Sequence, residues 1–134
     1  MGDQIGTAVS GTLYYVPRAE FSRILALPVD DVARARVFAA FCRINALYMI
    51  ARAGSGHIGS SFSSMDIMSW LLLQAVRPAS VPSHPGDVFF SSKGHDAPAL
   101  YSVMLALGRL DFDLIHGLRR LDNREYNNTV RDLL

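Results

Sequence analysis

Hydrophobic and polar positions divide the chain into long apolar blocks separated by short runs of Gly, Ser and Pro. The first firm element is a helix from about Asp31 to Ala53. Asp30 or Asp31 can cap its start, and Gly54 suits the left-handed position after its end. At about 100° per residue, Arg34, Asn45 and Arg52 fall on one line, with Arg36 and Arg43 nearly opposite. Apolar flanks lie between the two lines, so this helix is predicted to be packed on both sides. Met65–Val76 reads as a second, central helix, capped by Ser64 and with little polar surface beyond Ser69 and Gln74. Ser92–Gly94 turns the chain into a third helix, which has Pro98 near its first turn, runs to about Leu107 and is stopped by Gly108. A fourth covers about Phe112–Leu121, with Arg119 and Arg120 in its last turn. Glu20–Leu27 forms a short helix ended by Pro28.

Strand-prone residues predict two short strands, Leu13–Val16 and a buried one over Asp87–Ser91. The remaining stretches, Ser55–Ser64 and Arg77–Gly86, read as loops; Pro78, Pro82 and Pro85 break up the second. Met1–Gly11 is Gly-rich and polar. After Leu121 the apolar patterning weakens, and Asn123, Asn127 and Asn128 crowd together.

Composition narrows the possibilities. The 134 residues fit one domain. Hydrophobic residues make up 50% and charged residues 19%, the apolar end of normal for a soluble domain, which implies surface meant to be covered. A net charge of +1 with scattered basic residues gives no electrostatic footprint for nucleic acid. Cys42 is the single cysteine; it rules out an internal disulfide, suits a reducing cytoplasm, and reads as a buried hydrophobe. Met1–Gly11 lacks a basic start followed by an apolar core, so no signal peptide is read there. Met65–Val76 is too short to cross a bilayer. The expectation is a soluble, cytoplasmic chain without membrane partners.

Two segments could carry chemistry. In Ser55-Gly56-His57-Ile58-Gly59-Ser60 a histidine sits between glycines, on backbone able to approach a ligand closely. An imidazole there can donate, accept or shuttle a proton; the plainer alternative is a solvated loop residue. In Phe89-Phe90-Ser91-Ser92-Lys93-Gly94-His95-Asp96 a strand runs into a helix start, whose unpaired N–H groups suit a phosphate, with Lys93 adding charge. The plainer alternative is a capped helix with Lys93 in solvent. His84 and His116 read as structural or solvated. No zinc-ligand spacing, nucleophile elbow or dinucleotide fingerprint occurs, so no metal ligand is assigned.

These segments carry a resemblance. Ala51-Arg52-Ala53-Gly54-Ser55-Gly56-His57-Ile58-Gly59-Ser60-Ser61, Met65-Asp66-Ile67, Asp87 to His95, Ala97 to Tyr101 and Leu105 to Gly108 together resemble the N-terminal part of transketolases, most closely the N-terminal subunit of the split bacterial form. The resemblance covers about Asn45 to Leu121. It implies thiamine diphosphate with Mg2+ as cofactors and sugar phosphates as substrates, with a two-carbon ketol unit passed between them. It places His57 and His95 in catalytic roles: His57 beside the reaction centre on substrate hydroxyls, His95 near the cofactor diphosphate and the substrate.

The departures are equally specific. The family's Gly-His-Pro loop, its Gly-Asp-Gly segment for metal and diphosphate, and its pyrimidine-binding domain have no counterpart in this sequence. The implied fold is α/β: a mostly helical remnant of a thiamine-diphosphate-binding fold with one or two short strands. Residues 1–28 form an N-terminal extension, 29–121 the transketolase-like segment and 122–134 a divergent tail. Activity then requires a complementing transketolase chain or a homo-oligomer. The alternatives are an inactive truncated remnant and a non-catalytic module that docks on a transketolase.

Overall fold

The structure, a computed structural model, describes residues 11–80 and 82–118. It is a helical assembly built around one long element. Helix α1 covers Arg18–Leu25, α2 Asp31–Ala53, α3 Ile58–Trp70 and α4 Ala97–Ala106. Three shorter turns complete it: a π-helical turn Leu71–Ala75 that continues α3, and 3-10 turns at Gly94–Asp96 and Phe112–His116.

Helix α2 has the predicted ends, because both are fixed by local chemistry. The Asp30 carboxylate accepts from the Ala33 amide at 2.8 Å, and Gly54 takes the left-handed conformation at φ 65°. Helices α1, α3 and α4 all pack on it. Its apolar flanks supply Phe38, Ala39, Cys42 and Ala46 to a core shared with Phe21, Met65, Val103 and Met104. A second cluster joins Tyr48 and Met49 to Tyr101, Leu105 and Ile115. Where α4 crosses α2, the Ser102 hydroxyl donates to the Cys42 carbonyl at 2.8 Å in the buried interior. Burial also pushes the Cys42 thiol up to about 12, so this cysteine behaves as a small apolar group.

The two polar lines of α2 each hold another part of the chain. On one, Arg34 donates to the Leu27 and Val29 carbonyls, and Arg52 donates to the His116 carbonyl. Between them the fully buried Asn45 makes two bonds to one residue. Its Oδ1 accepts from the Val16 amide at 2.7 Å and its Nδ2 donates to the Val16 carbonyl at 3.0 Å. On the opposite line Arg43 reaches the Phe62 carbonyl and the Asp66 carboxylate of α3.

Three expectations are corrected. No strand forms among the described residues; the nearest feature is an isolated bridge between Ser80 and His84. At Leu13–Val16 the residue that would pair in a ladder gives both backbone groups to Asn45. At Asp87–Ser91 the chain is extended without a neighbouring strand, and only Phe89 turns toward the core, while Val88 and Phe90 are 58% and 69% exposed. The mostly helical character therefore holds, without the short strands. Second, the loop expected over Ser55–Ser64 is helical from Ile58 onward. Third, the expected helix Phe112–Leu121 is a 3-10 turn over Phe112–His116, begun by Asp111 accepting from the Asp113 amide. Residues 119–121 of that stretch, the chain before Gly11 and the tail lie outside the described residues.

The Pro-rich loop after α3 is closed by a clip. Arg77 donates through its amide and Nε to Asp87 Oδ2, both at 2.9 Å, and through Nη2 to Oδ1. The Asp87 amide returns a bond to the Arg77 carbonyl. Inside the clip His84 Nδ1 accepts from the Gly86 amide, a structural role, as expected.

Two outcomes follow from these anchors. Asn45→Ala strands the Val16 amide and carbonyl, and is expected to lower stability by about 2 kcal/mol, read as a shifted urea midpoint; an unchanged midpoint contradicts the anchor. Asp87 is the second. Hydrogen bonds from the Arg77 side chain, then from its amide, hold the Asp87 carboxyl down at about 2, against an ordinary 3.8. A folded value below the unfolded one adds stability that is complete above the ordinary carboxylate range and lost as pH falls from there toward about 2. A side-chain carboxyl NMR titration of Asp87 should show this low midpoint in the native chain and a higher one in Arg77→Ala, still short of the ordinary value because the backbone amide at position 77 continues to donate to the carboxylate.

Candidate functional site

The site begins where α2 ends. Gly56 takes φ 135°, and a Cβ there would lie 2.8 Å from Ile50 Cγ1. Only glycine lets the chain fold this tightly over the last turns of α2 and start α3 at once. The residue that follows, His57, is the N-cap of α3. Its Nδ1 accepts from the Ser60 amide at 3.0 Å, with the Ser60 hydroxyl 2.6 Å away. An amide can only donate, so in the neutral ring Nδ1 is the acceptor and the proton resides on Nε2. The cap therefore fixes the tautomer and leaves Nε2–H as the free donor of an exposed ring.

Two serines behind His57 bond within the helix itself. Ser64 Oγ donates to the Ser60 carbonyl at 2.8 Å, and Ser63 Oγ to the same carbonyl at 3.2 Å. They bond back along the helix, so Ser64 is an interior residue of α3 and not the expected cap.

The second arm arrives from Phe89. Ser91 Oγ donates to the buried Asp96 carboxylate at 2.9 Å, which staples the turn Gly94–Asp96 to the incoming chain. Asp96 stands at the N-cap of α4 without a capping bond, and Pro98 occupies its first turn. Lys93 and His95 are exposed on this turn. A Cβ at Gly94 would meet nothing within 4 Å, so the space beside it is open.

The two arms bring His57 and His95 together. Their ring centroids lie 5.4 Å apart, with the planes inclined by 59°. Both rings face solvent from rigid supports, one a helix cap and the other a stapled turn. The pair can donate to, accept from and exchange protons with a small polar ligand placed between them and the open side of Gly94.

The other histidines stay apart from this pair. His116 Nδ1 is 2.8 Å from the Tyr48 hydroxyl, and its exposed ring meets Tyr15 edge-on at 5.4 Å, beside the second core cluster. Among the described residues no three His, Cys, Asp or Glu side chains come together as a metal site.

The chain is similar to transketolases. It is 37% identical to transketolase of Homo sapiens and 36% to that of Mus musculus, each over 83 residues, or 60% of this chain. It is 32% identical over 75 residues, 53% of this chain, to the 6-deoxy-6-sulfo-D-fructose transketolase subunit SqwG of Clostridium sp. (strain MSTE9). The matched stretch is 13% of the mammalian proteins and 26% of the clostridial subunit, so the chain spans a small part of the length of the curated relatives it matches. No family model matches it. No solved structure is similar enough to count as a match.

Sequence reasoning passed over the residues that hold the histidines. Ser60 stands three positions after His57, the spacing from an N-cap to its acceptor-seeking amide, and that spacing was the available signal. The Ser91–Asp96 staple has a similar local span. His57→Ala removes the cap of α3 and is expected to cost about 1 kcal/mol in urea unfolding, while His57→Asn keeps an acceptor and restores most of it. Equal losses in the two variants would show that His57 does not act as a cap.

Proposed function

We propose that the chain is the N-terminal segment of a thiamine-diphosphate-dependent, transketolase-like enzyme that moves a two-carbon ketol unit between sugar phosphates and needs other chains to be active. The meeting of His57 and His95 carries this reading. Two motifs distant in sequence, both within the resemblance to transketolases, put their imidazoles 5.4 Å apart. Similarity to transketolases over 60% of the chain supports it independently.

In this reading the Nε2–H of His57 donates to substrate hydroxyls, and its cap on α3 fixes both the tautomer and the ring position. His95 borders both the substrate and the cofactor diphosphate. Thiamine diphosphate, when bound, supplies the electron sink for carbon–carbon bond cleavage. The two histidines fit one wall of such a site. Among the described residues no group of His, Cys, Asp or Glu side chains gathers that could hold Mg2+. The metal grip, the rest of the cofactor site and the parallel sheet of an α/β fold would come from a complementing transketolase chain or from a homo-oligomer. The similarity to a clostridial transketolase subunit supports a divided enzyme. A reducing, cytoplasmic setting fits the single, buried Cys42.

The test supplies the chain in trans to human transketolase lacking the stretch that this chain matches, with thiamine diphosphate, Mg2+, a ketose phosphate donor and an aldose phosphate acceptor. Restored ketol transfer is expected. His57→Asn and His95→Ala should each lower kcat about 100-fold without weakening association. Association without turnover would replace this reading with that of a non-catalytic docking module, and absence of both would overturn it.

A further inference from the structure

Two α-helices begin on a side-chain cap, α2 and α3, and the two caps differ in chemistry. At the start of α2 the acceptor is the Asp30 carboxylate, 2.8 Å from the Ala33 amide. A carboxyl oxygen accepts whether or not the group carries a proton. At the start of α3 the acceptor is His57 Nδ1, 3.0 Å from the Ser60 amide, and an imidazole accepts only while it is neutral. A proton taken up by the exposed ring puts N–H on both nitrogens. The Ser60 hydroxyl, 2.6 Å away, can turn to accept from Nδ1–H; the Ser60 amide cannot. Ser60 is buried, so the first turn has to open before water replaces the lost acceptor. The new charge also stands at the positive end of the helix dipole.

We propose that the start of α3 is a proton-operated latch. With His57 neutral, the first turn is closed and the ring is held beside His95. A proton on His57 frays that turn and releases the ring from the pair. The surroundings offer the charged ring no substitute anchor. Four elements pack on α3. The turn Gly94–Asp96 brings His95, its ring centroid 5.4 Å from that of His57, with exposed Lys93 before it and buried Asp96 after it. Helix α4 adds only Tyr101, and the π-helical turn adds no titratable group. On α2, Arg52 donates to the His116 carbonyl, Tyr48 bonds to the His116 ring, and Arg43 is paired with Asp66 of α3 itself. Cys42 is buried, and Asp31, Arg34 and Arg36 stand toward the other end of that helix. Among the described residues no carboxylate pairs with His57, so no counter-charge replaces the lost bond. The latch rests on the geometry of the cap and not on the transketolase reading.

The test is amide hydrogen exchange by NMR on the whole chain, with no turnover involved, at about pH 8 and about pH 5. Ala33 is the internal control. Between the two conditions the protection factor of the Ser60 amide is expected to fall about 5-fold more than that of Ala33. In His57→Asn, whose side-chain oxygen accepts at both pH values, that excess should vanish. The Ser60 amide shift should also follow the titration of the His57 ring. Equal changes at Ser60 and Ala33 overturn the proposal, because they report a chain-wide response to acid. An excess that persists in His57→Asn overturns it too, as does a Ser60 shift that follows His84, His95 or His116 instead.

Discussion

The architecture depends on a requirement imposed on α2: a helix packed on two sides must satisfy every polar group that it carries inward. Asn45 meets this most directly. Fully buried, it gives its amide to the two backbone groups of Val16, as the next strand of a sheet would. The incoming segment before α1 is thereby fixed against α2 without a sheet. Arg34 and Arg52 extend the same line, holding the α1–α2 link at one end and the His116 turn at the other. Opposite, Arg43 fastens α3 through Phe62 and Asp66. Apolar burial supplies the driving force, and these polar contacts decide which surfaces meet.

That order reaches the histidine pair through two short connections. The left-handed Gly54 ends α2, and Gly56 lies so close to Ile50 that α3 must begin within a few residues. His57 then has two tasks that reinforce each other. Capping α3 consumes Nδ1 and fixes the ring 5.4 Å from that of His95, with Nε2–H left over as a donor. A cap made by Ser or Asp would stabilise the helix start equally well but would leave no imidazole facing the second arm. The use of histidine at this position makes chemical sense through what remains free on the ring.

Legibility in the sequence followed the range of the determining contact. Both ends of α2 could be read because Asp30 and Gly54 act within one turn. The two-sided packing of α2 could be read because periodicity alone places its arginines on opposite lines. The start of α3 was hidden: Gly59, Ser60, Ser61, Ser63 and Ser64 are poor helix formers, and the bonds that Ser63 and Ser64 make run back along a helix that must already exist. The strands failed for the opposite reason. Tyr14, Tyr15, Val88 and Phe90 favour extended backbone, but a strand needs a partner, and the partner of Val16 is a side chain 29 residues away. His57 and His95 were singled out from their glycine and lysine surroundings, with roles drawn from a family resemblance. Their proximity depends on how α3 and α4 pack, which no local pattern encodes.

The surface and the site point to the same physical conclusion by separate routes. Residues such as Val37, Ile44 and Leu47 leave about two-fifths of their surface in water along one side of α2. Scattered singly such residues are ordinary; aligned on one helix they make a strip whose hydration is costly. The histidine pair is likewise one-sided, with rigid support behind and open space in front of Gly94. A small ligand held by two exposed imidazoles alone would remain largely hydrated, and hydrogen bonds in water contribute little to orientation. Enclosure by further polypeptide would remove water from such surfaces. The apolar strip would supply the association energy, and the covered pair would gain the low-dielectric setting in which a fixed Nε2–H donor is most effective.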